Sequence, residues 1–132
     1  MKNKFIMYAA AACLLCSCGS QETQRFQTDY FGLDIDEKGY IVGMWNTTRE
    51  SRNFSPADRP SPLLALYDSQ LKRYYYPQKA RYANGKYRLE YANGSVATVR
   101  LEEKDKYFKL TLEALDNREG ISGIQWGNYY TN

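Results

Sequence analysis

Carboxylates and aromatic rings are the side chains of this 132-residue chain whose types and spacing could do chemistry. Glycoside hydrolysis needs two carboxyl groups about 5 to 10 Å apart across the substrate. Asp34 and Asp36 share a strand face at i, i+2 spacing, and Glu102 and Glu103 sit together at a strand end. All four adjoin expected turns, where carboxylates are solvated, so no catalytic pair is assigned. The turn Asp34-x-Asp36-Glu37 lacks the run of oxygen ligands that calcium takes, and no metal or cofactor is expected. Histidine is absent, which removes imidazole triads, imidazole metal ligands and the usual pH switch.

Rings are the stronger signal, with 13 tyrosines, 5 phenylalanines and 2 tryptophans. Sugars present flat C–H faces that lie on Trp and Tyr rings. Trp45, Tyr75, Trp126 and Tyr129 are the candidate carbohydrate contacts, each weighed against ordinary packing in a core or sheet. Tyr74-Tyr75-Tyr76 is a conspicuous run, but strand residues alternate faces, so two of the three at most share a platform.

The elements that would position these rings are strands. Residues 30–35 and 40–45 are strand-like and joined by Asp36-Glu37-Lys38-Gly39, a hairpin turn with glycine where positive φ is needed. Residues 46–62 form a long polar link punctuated by Pro56, Pro60 and Pro62, either functional or a crossing between sheets. The apolar run 63–67 suits a strand buried on both faces, and 71–76 follows a short turn. In 86–91 Tyr87, Leu89 and Tyr91 alternate with three charges, bracketed by Asn84-Gly85 and Asn93-Gly94. Residues 95–103 place Ala97, Val99 and Leu101 inward; 107–115 place Phe108, Leu110, Leu112 and Ala114 inward. These runs make an antiparallel meander. A last strand starts at 121 and the chain stops two residues after Tyr130. An aromatic strand without a cap and an unpaired apolar edge lead to the expectation that the sheet structure is truncated at its C-terminus.

Near the other end, Lys2 and Lys4 precede a short apolar run over 5–15. It falls short of the roughly 20 residues that span a bilayer and fits an export signal, helical while it acts. Leu15-Cys16-Ser17-Cys18 resembles the lipobox of bacterial lipoproteins, with a branched apolar residue three before the cut and a small one directly before it. The resemblance implies cleavage before Cys18 and lipidation of its thiol and amine. Buried methylenes contribute about 0.8 kcal/mol each, so several acyl chains hold a domain on a membrane. Residues 1–17 are the expected signal, 18–27 a flexible tether and 28–132 the folded domain. All three cysteines (Cys13, Cys16, Cys18) lie in or at the signal, so the domain must hold together by packing alone. Losing Lys2 and Lys4 leaves the basic residues nearly matched to the 15 acidic ones, which argues against nucleic acid.

Ser61-Pro62-Leu63-Leu64-Ala65-Leu66-Tyr67, Tyr76-Pro77, the Asn-Gly meander and Ile124-Gln125-Trp126-Gly127-Asn128-Tyr129-Tyr130-Thr131 follow in order. Together they resemble the N-terminal galactose-mutarotase-like β-sandwich of large glycan-degrading lipoproteins of Bacteroidetes. Asn128 and Asn132 depart from that family's strand, which has proline and threonine there. The resemblance implies an accessory sandwich before a catalytic domain that this chain does not include. The fold expected is therefore all-β, an antiparallel β-sandwich or part of one. The function expected is a non-catalytic, lipid-anchored module of the cell envelope, on the outer membrane, that contacts carbohydrate or a catalytic domain. A structural or interaction lipoprotein without sugar affinity is the alternative.

Overall fold

The computed structural model describes residues 22–48 and 52–128. The expected signal over 1–17, Cys18 and Tyr129 lie outside the described residues. Within them the chain is all-β, with eleven strands in three antiparallel sheets. They are β1 (Gln24–Gln27), β2 (Phe31–Ile35), β3 (Tyr40–Asn46), β4 (Ser61–Pro62), β5 (Leu64–Asp68), β6 (Arg73–Tyr75), β7 (Pro77–Ala83), β8 (Lys86–Tyr91), β9 (Val96–Glu103), β10 (Phe108–Asp116) and β11 (Gly123–Trp126).

The first sheet runs β1-β2-β3-β4, the second β11-β5-β6 and the third β10-β9-β8-β7. Residues 61–68 pass from the first sheet to the second with only a bend at Leu63 between β4 and β5. Residues 73–83 pass from the second to the third through Tyr76. Two switching strands thus tie the sheets into a sandwich. Its core joins all three: Phe26, Leu33, Ile35 and Ile41 from the first, Leu64 and Leu66 from the second, Tyr87, Leu89, Val99 and Leu101 from the third. Across the layers, Phe26 meets Tyr82 edge-on at 5.0 Å between ring centres, and the Tyr91 hydroxyl donates to the Leu64 carbonyl at 2.8 Å.

The turns follow their sequences. Asn84 and Gly85 both take positive φ, 52° and 77°, the geometry that a two-residue hairpin with right-handed strand twist requires. At the first hairpin the Asp36 Oδ1 accepts the N–H groups of Lys38 at 3.0 Å and Tyr40 at 2.8 Å. Gly39 there has φ 92° and lies so close to the core that a Cβ would sit 2.9 Å from Leu89 Cδ2. The long link does not hang free. Asn53 accepts from Met44 N–H and donates to the Val42 carbonyl, and Ser55 donates to the Ile41 carbonyl, so the loop side chains take the place of a strand beside β3.

Two expectations are corrected. The tether expected over 18–27 ends earlier, because Gln24–Gln27 pair with β2 and Phe26 is 4% exposed. One apolar residue in four carries no period, and the cross-layer contacts of Phe26 supply what the pattern lacks. Ala114, inward by strict alternation, is exposed. A bulge between Leu112 and Ala114 adds a residue to β10, after which Leu115 packs on the core instead.

Candidate functional site

Each carboxylate singled out above has a structural partner. Asp34 is gripped by the Arg25 guanidinium, Nε to Oδ1 at 3.0 Å and Nη2 to Oδ2 at 3.1 Å. That bidentate pair raises the Arg25 pKa above its ordinary value. Asp36 spends an oxygen on its own turn. Glu102 accepts from Lys104 Nζ at 3.1 Å, which holds its carboxyl below the usual carboxylate range. Glu103 accepts the Gln27 N–H at 3.0 Å. Such carboxylates stitch strands and turns, and Asp34 and Asp36 line separate hollows instead of facing each other across one, as a paired general acid and base would. Among the described residues no three His, Cys, Asp or Glu side chains converge as metal ligands.

The four candidate rings are not brought together. Trp45 lies flat on the outer face of the first sheet, over two glycines. A Cβ at Gly32 would come 2.2 Å from Trp45 Nε1, and one at Gly43 would come 2.6 Å from Cζ3. The Arg25 guanidinium covers the other side of the indole, 4.5 Å from its centre, and a shallow hollow of about 330 Å³ is left beside the stack. With backbone beneath and a cation above, the Trp45 faces are taken. Tyr75 sits opposite Leu66 on the core side of the second sheet and packs against the core, with Arg73 4.7 Å over its ring. Trp126, opposite Leu64, is half-buried against the same core. Both are packing residues. Tyr129 falls outside the described residues.

What the fold does assemble is a different aromatic row. Tyr67 on β5 is directly opposite Tyr74 on β6, their rings 4.8 Å apart, and Tyr76 stacks on Tyr74 at 6.3 Å with planes only 20° apart. Tyr74 is 43% and Tyr76 47% exposed. Alternation along β6 selects this pair: Tyr75 faces the core, so its two neighbours face out. Beyond Tyr76 opens a cleft of about 490 Å³ lined by Asp36, Lys38, Tyr40, Pro60, Pro77 and Gln78. Burial pushes the Tyr40 phenol up, with Tyr76 and Asp36 near enough to add to the effect. The signal for the row was the Tyr74-Tyr75-Tyr76 run together with Tyr67 across the short hairpin; without the register, nothing said which of the three faces out.

No protein-family model matches the chain, no curated protein matches it in sequence, and no solved structure matches it.

Proposed function

We propose that this domain is a non-catalytic, lipid-anchored β-sandwich module that contacts carbohydrate. The observation that carries the reading is the row of exposed Tyr74 and Tyr76 on half-buried Tyr67, ending at a polar-edged cleft. Ring faces offer apolar area to the C–H face of a sugar, while the Tyr40 hydroxyl, Lys38 and Gln78 offer hydrogen bonds to its edge. Polar groups placed at the edge of a cleft beside apolar rings fix the orientation of a ligand. The lipid on Cys18, implied by the lipobox resemblance, would hold the module at the outer membrane, and the galactose-mutarotase-like resemblance would place it beside a catalytic domain.

The test is glycan-array binding by the full chain and by Tyr74→Ala and Tyr76→Ala. Each ring contributes about 1 kcal/mol, so each truncation is expected to weaken binding roughly fivefold with thermal unfolding unchanged. Silence of the wild type across neutral and acidic glycans overturns the reading. Palmitate labelling that persists in Cys18→Ala would overturn the anchor separately.

A second reading, an envelope interaction module without sugar affinity, is favoured by a different feature. An apolar groove of about 400 Å³ lies open between the first sheet and β10, lined by Phe31, Leu33, Ile41, Met44, Phe108 and Leu110.

A further inference from the structure

The outer face of the third sheet carries an arrangement that folding alone does not favour. Register sets Arg81 on β7 directly opposite Arg88 on β8, with Thr98 of β9 next in the row. Like charges directly opposite each other destabilise a sheet. Arg81 is exposed, and among the described residues it makes no ion pair and no hydrogen bond. Arg88 reaches Glu90 only at 3.7 Å, and Glu90 also faces Lys79 across the ladder. In the adjoining row Lys86 and Arg100 share the single carboxylate of Glu113. Over β7, β8 and the Lys86–Arg100 row, Glu90 and Glu113 are thus the carboxylates that serve Lys79, Arg81, Lys86, Arg88 and Arg100, while Glu102 and Asp116 lie further along the same face, opposite Lys109 and Val96.

Along the chain the cations follow the tyrosines. Pro77 and Ala80 are buried, whereas Gln78, Lys79 and Arg81 are exposed, so the segment 73–83 offers solvent Tyr74 and Tyr76 first and Lys79 and Arg81 next. Two guanidinium forks side by side match the planar, two-oxygen geometry of a carboxylate or sulfate.

We propose that this face binds an acidic polysaccharide, with Arg81 and Arg88 clasping a uronate carboxylate or sulfate ester while the tyrosine row stacks on neighbouring sugar rings. The inference rests on the sugar-contact reading above. Exposed rings followed by exposed cations along one segment are what favour a glycan over an anionic lipid surface.

Affinity electrophoresis of the full chain in detergent tests it, with polygalacturonate, chondroitin sulfate or fully methyl-esterified polygalacturonate cast in the gel. The wild type should be retarded at polymer concentrations at least about tenfold lower for a charged polymer than for the esterified one. Arg81→Gln with Arg88→Gln should erase that difference, whereas Lys109→Gln, a cation on β10 outside the cluster, should preserve it. The thermal midpoint of Arg81→Gln should not fall, since the substitution relieves a like-charge pair. Equal retardation by charged and esterified polymers overturns the acidic-glycan inference and leaves sugar contact standing. A Lys109→Gln loss as large as that of the arginine variants also overturns it, by reducing the effect to net charge. Displacement from the charged polymers by mixed micelles of the detergent with phosphatidylglycerol, and not by those with phosphatidylcholine, assigns the arginines to lipid and overturns it too. Retardation by none of the three polymers overturns the acidic-glycan inference, and the sugar-contact reading then stands or falls on the glycan array.

Discussion

Tyr87 and Tyr91 are both buried phenols on β8, 1% and 5% exposed, and they differ in one bond. The Tyr91 hydroxyl donates to the Leu64 carbonyl at 2.8 Å, whereas the Tyr87 hydroxyl has no hydrogen-bond partner among the described residues. Burial pushes both phenols far above their ordinary value, so each stays protonated over the whole working range of pH. An unsatisfied buried hydroxyl costs about 1–3 kcal/mol, while a made hydrogen bond contributes about 1 kcal/mol net. Tyr87→Phe should therefore leave stability unchanged or raise it by about 1 kcal/mol, and Tyr91→Phe should lower it by a similar amount, both read from urea unfolding midpoints. Equal losses in the two variants would mean that the Tyr87 hydroxyl has found a partner. The same scale explains why the site was only half legible. That Tyr74-Tyr75-Tyr76 splits between faces follows from strand alternation, but which face is outward depends on Leu66 lying opposite Tyr75. Trp45 was unreadable as a covered ring, because its cover is Arg25, from a strand whose sequence has no strand pattern.

At the level of elements, the hairpins were the readable part. Asn84-Gly85 has one backbone solution between paired strands, and strict alternation in β8 leaves one face for Tyr87, Leu89 and Tyr91. β1 and the β10 bulge were not readable, since the first is made by contacts with Tyr82 and Tyr87 from the other layer and the second by one surplus residue. That bulge sits at Glu113, whose carboxylate binds Lys86 Nζ at 2.8 Å on β8 and Arg100 Nε on β9. One side chain thereby spans three strands. Lys86 first and Arg100 second hold the Glu113 pKa below its ordinary 4.5. A carboxyl depressed on folding stabilises the fold above its unfolded pKa, and that contribution is lost as pH falls through the folded value. Glu113→Gln should accordingly lower the thermal midpoint at pH 7, and the gap to wild type should close as pH drops below about 4.5. A gap that persists undiminished at pH 2 would show that Glu113 acts through packing of its stem.

Over the whole molecule, the two layers close unevenly. The meander side is tight, with Leu89, Ala97 and Val99 fully buried, while Phe108 and Leu110 on β10 stay half-exposed over the open groove. β10 is also a sheet edge, and its nine residues make it the longest strand described. The bulge and the outward Lys109 and Glu113 are what blunt it against pairing with another chain. An inward-facing charge at this edge therefore has a way out that one strand further in it has not. Leu110 and Leu101 are directly opposite each other in the ladder, but Leu110 lines the groove and Leu101 is 4% exposed. A lysine at 110 can lay its four-carbon stem along the apolar wall and carry its ammonium to water. Leu110→Lys should cost about 1–2 kcal/mol, stay folded and raise the solubility limit, because inward charges on edge strands oppose strand pairing. Leu101→Lys has no such path and must bury an unpaired cation, so it should abolish cooperative unfolding. Circular dichroism melts of the two variants decide the point: similar collapse in both would mean that a covered face, not an open groove, lies beneath β10.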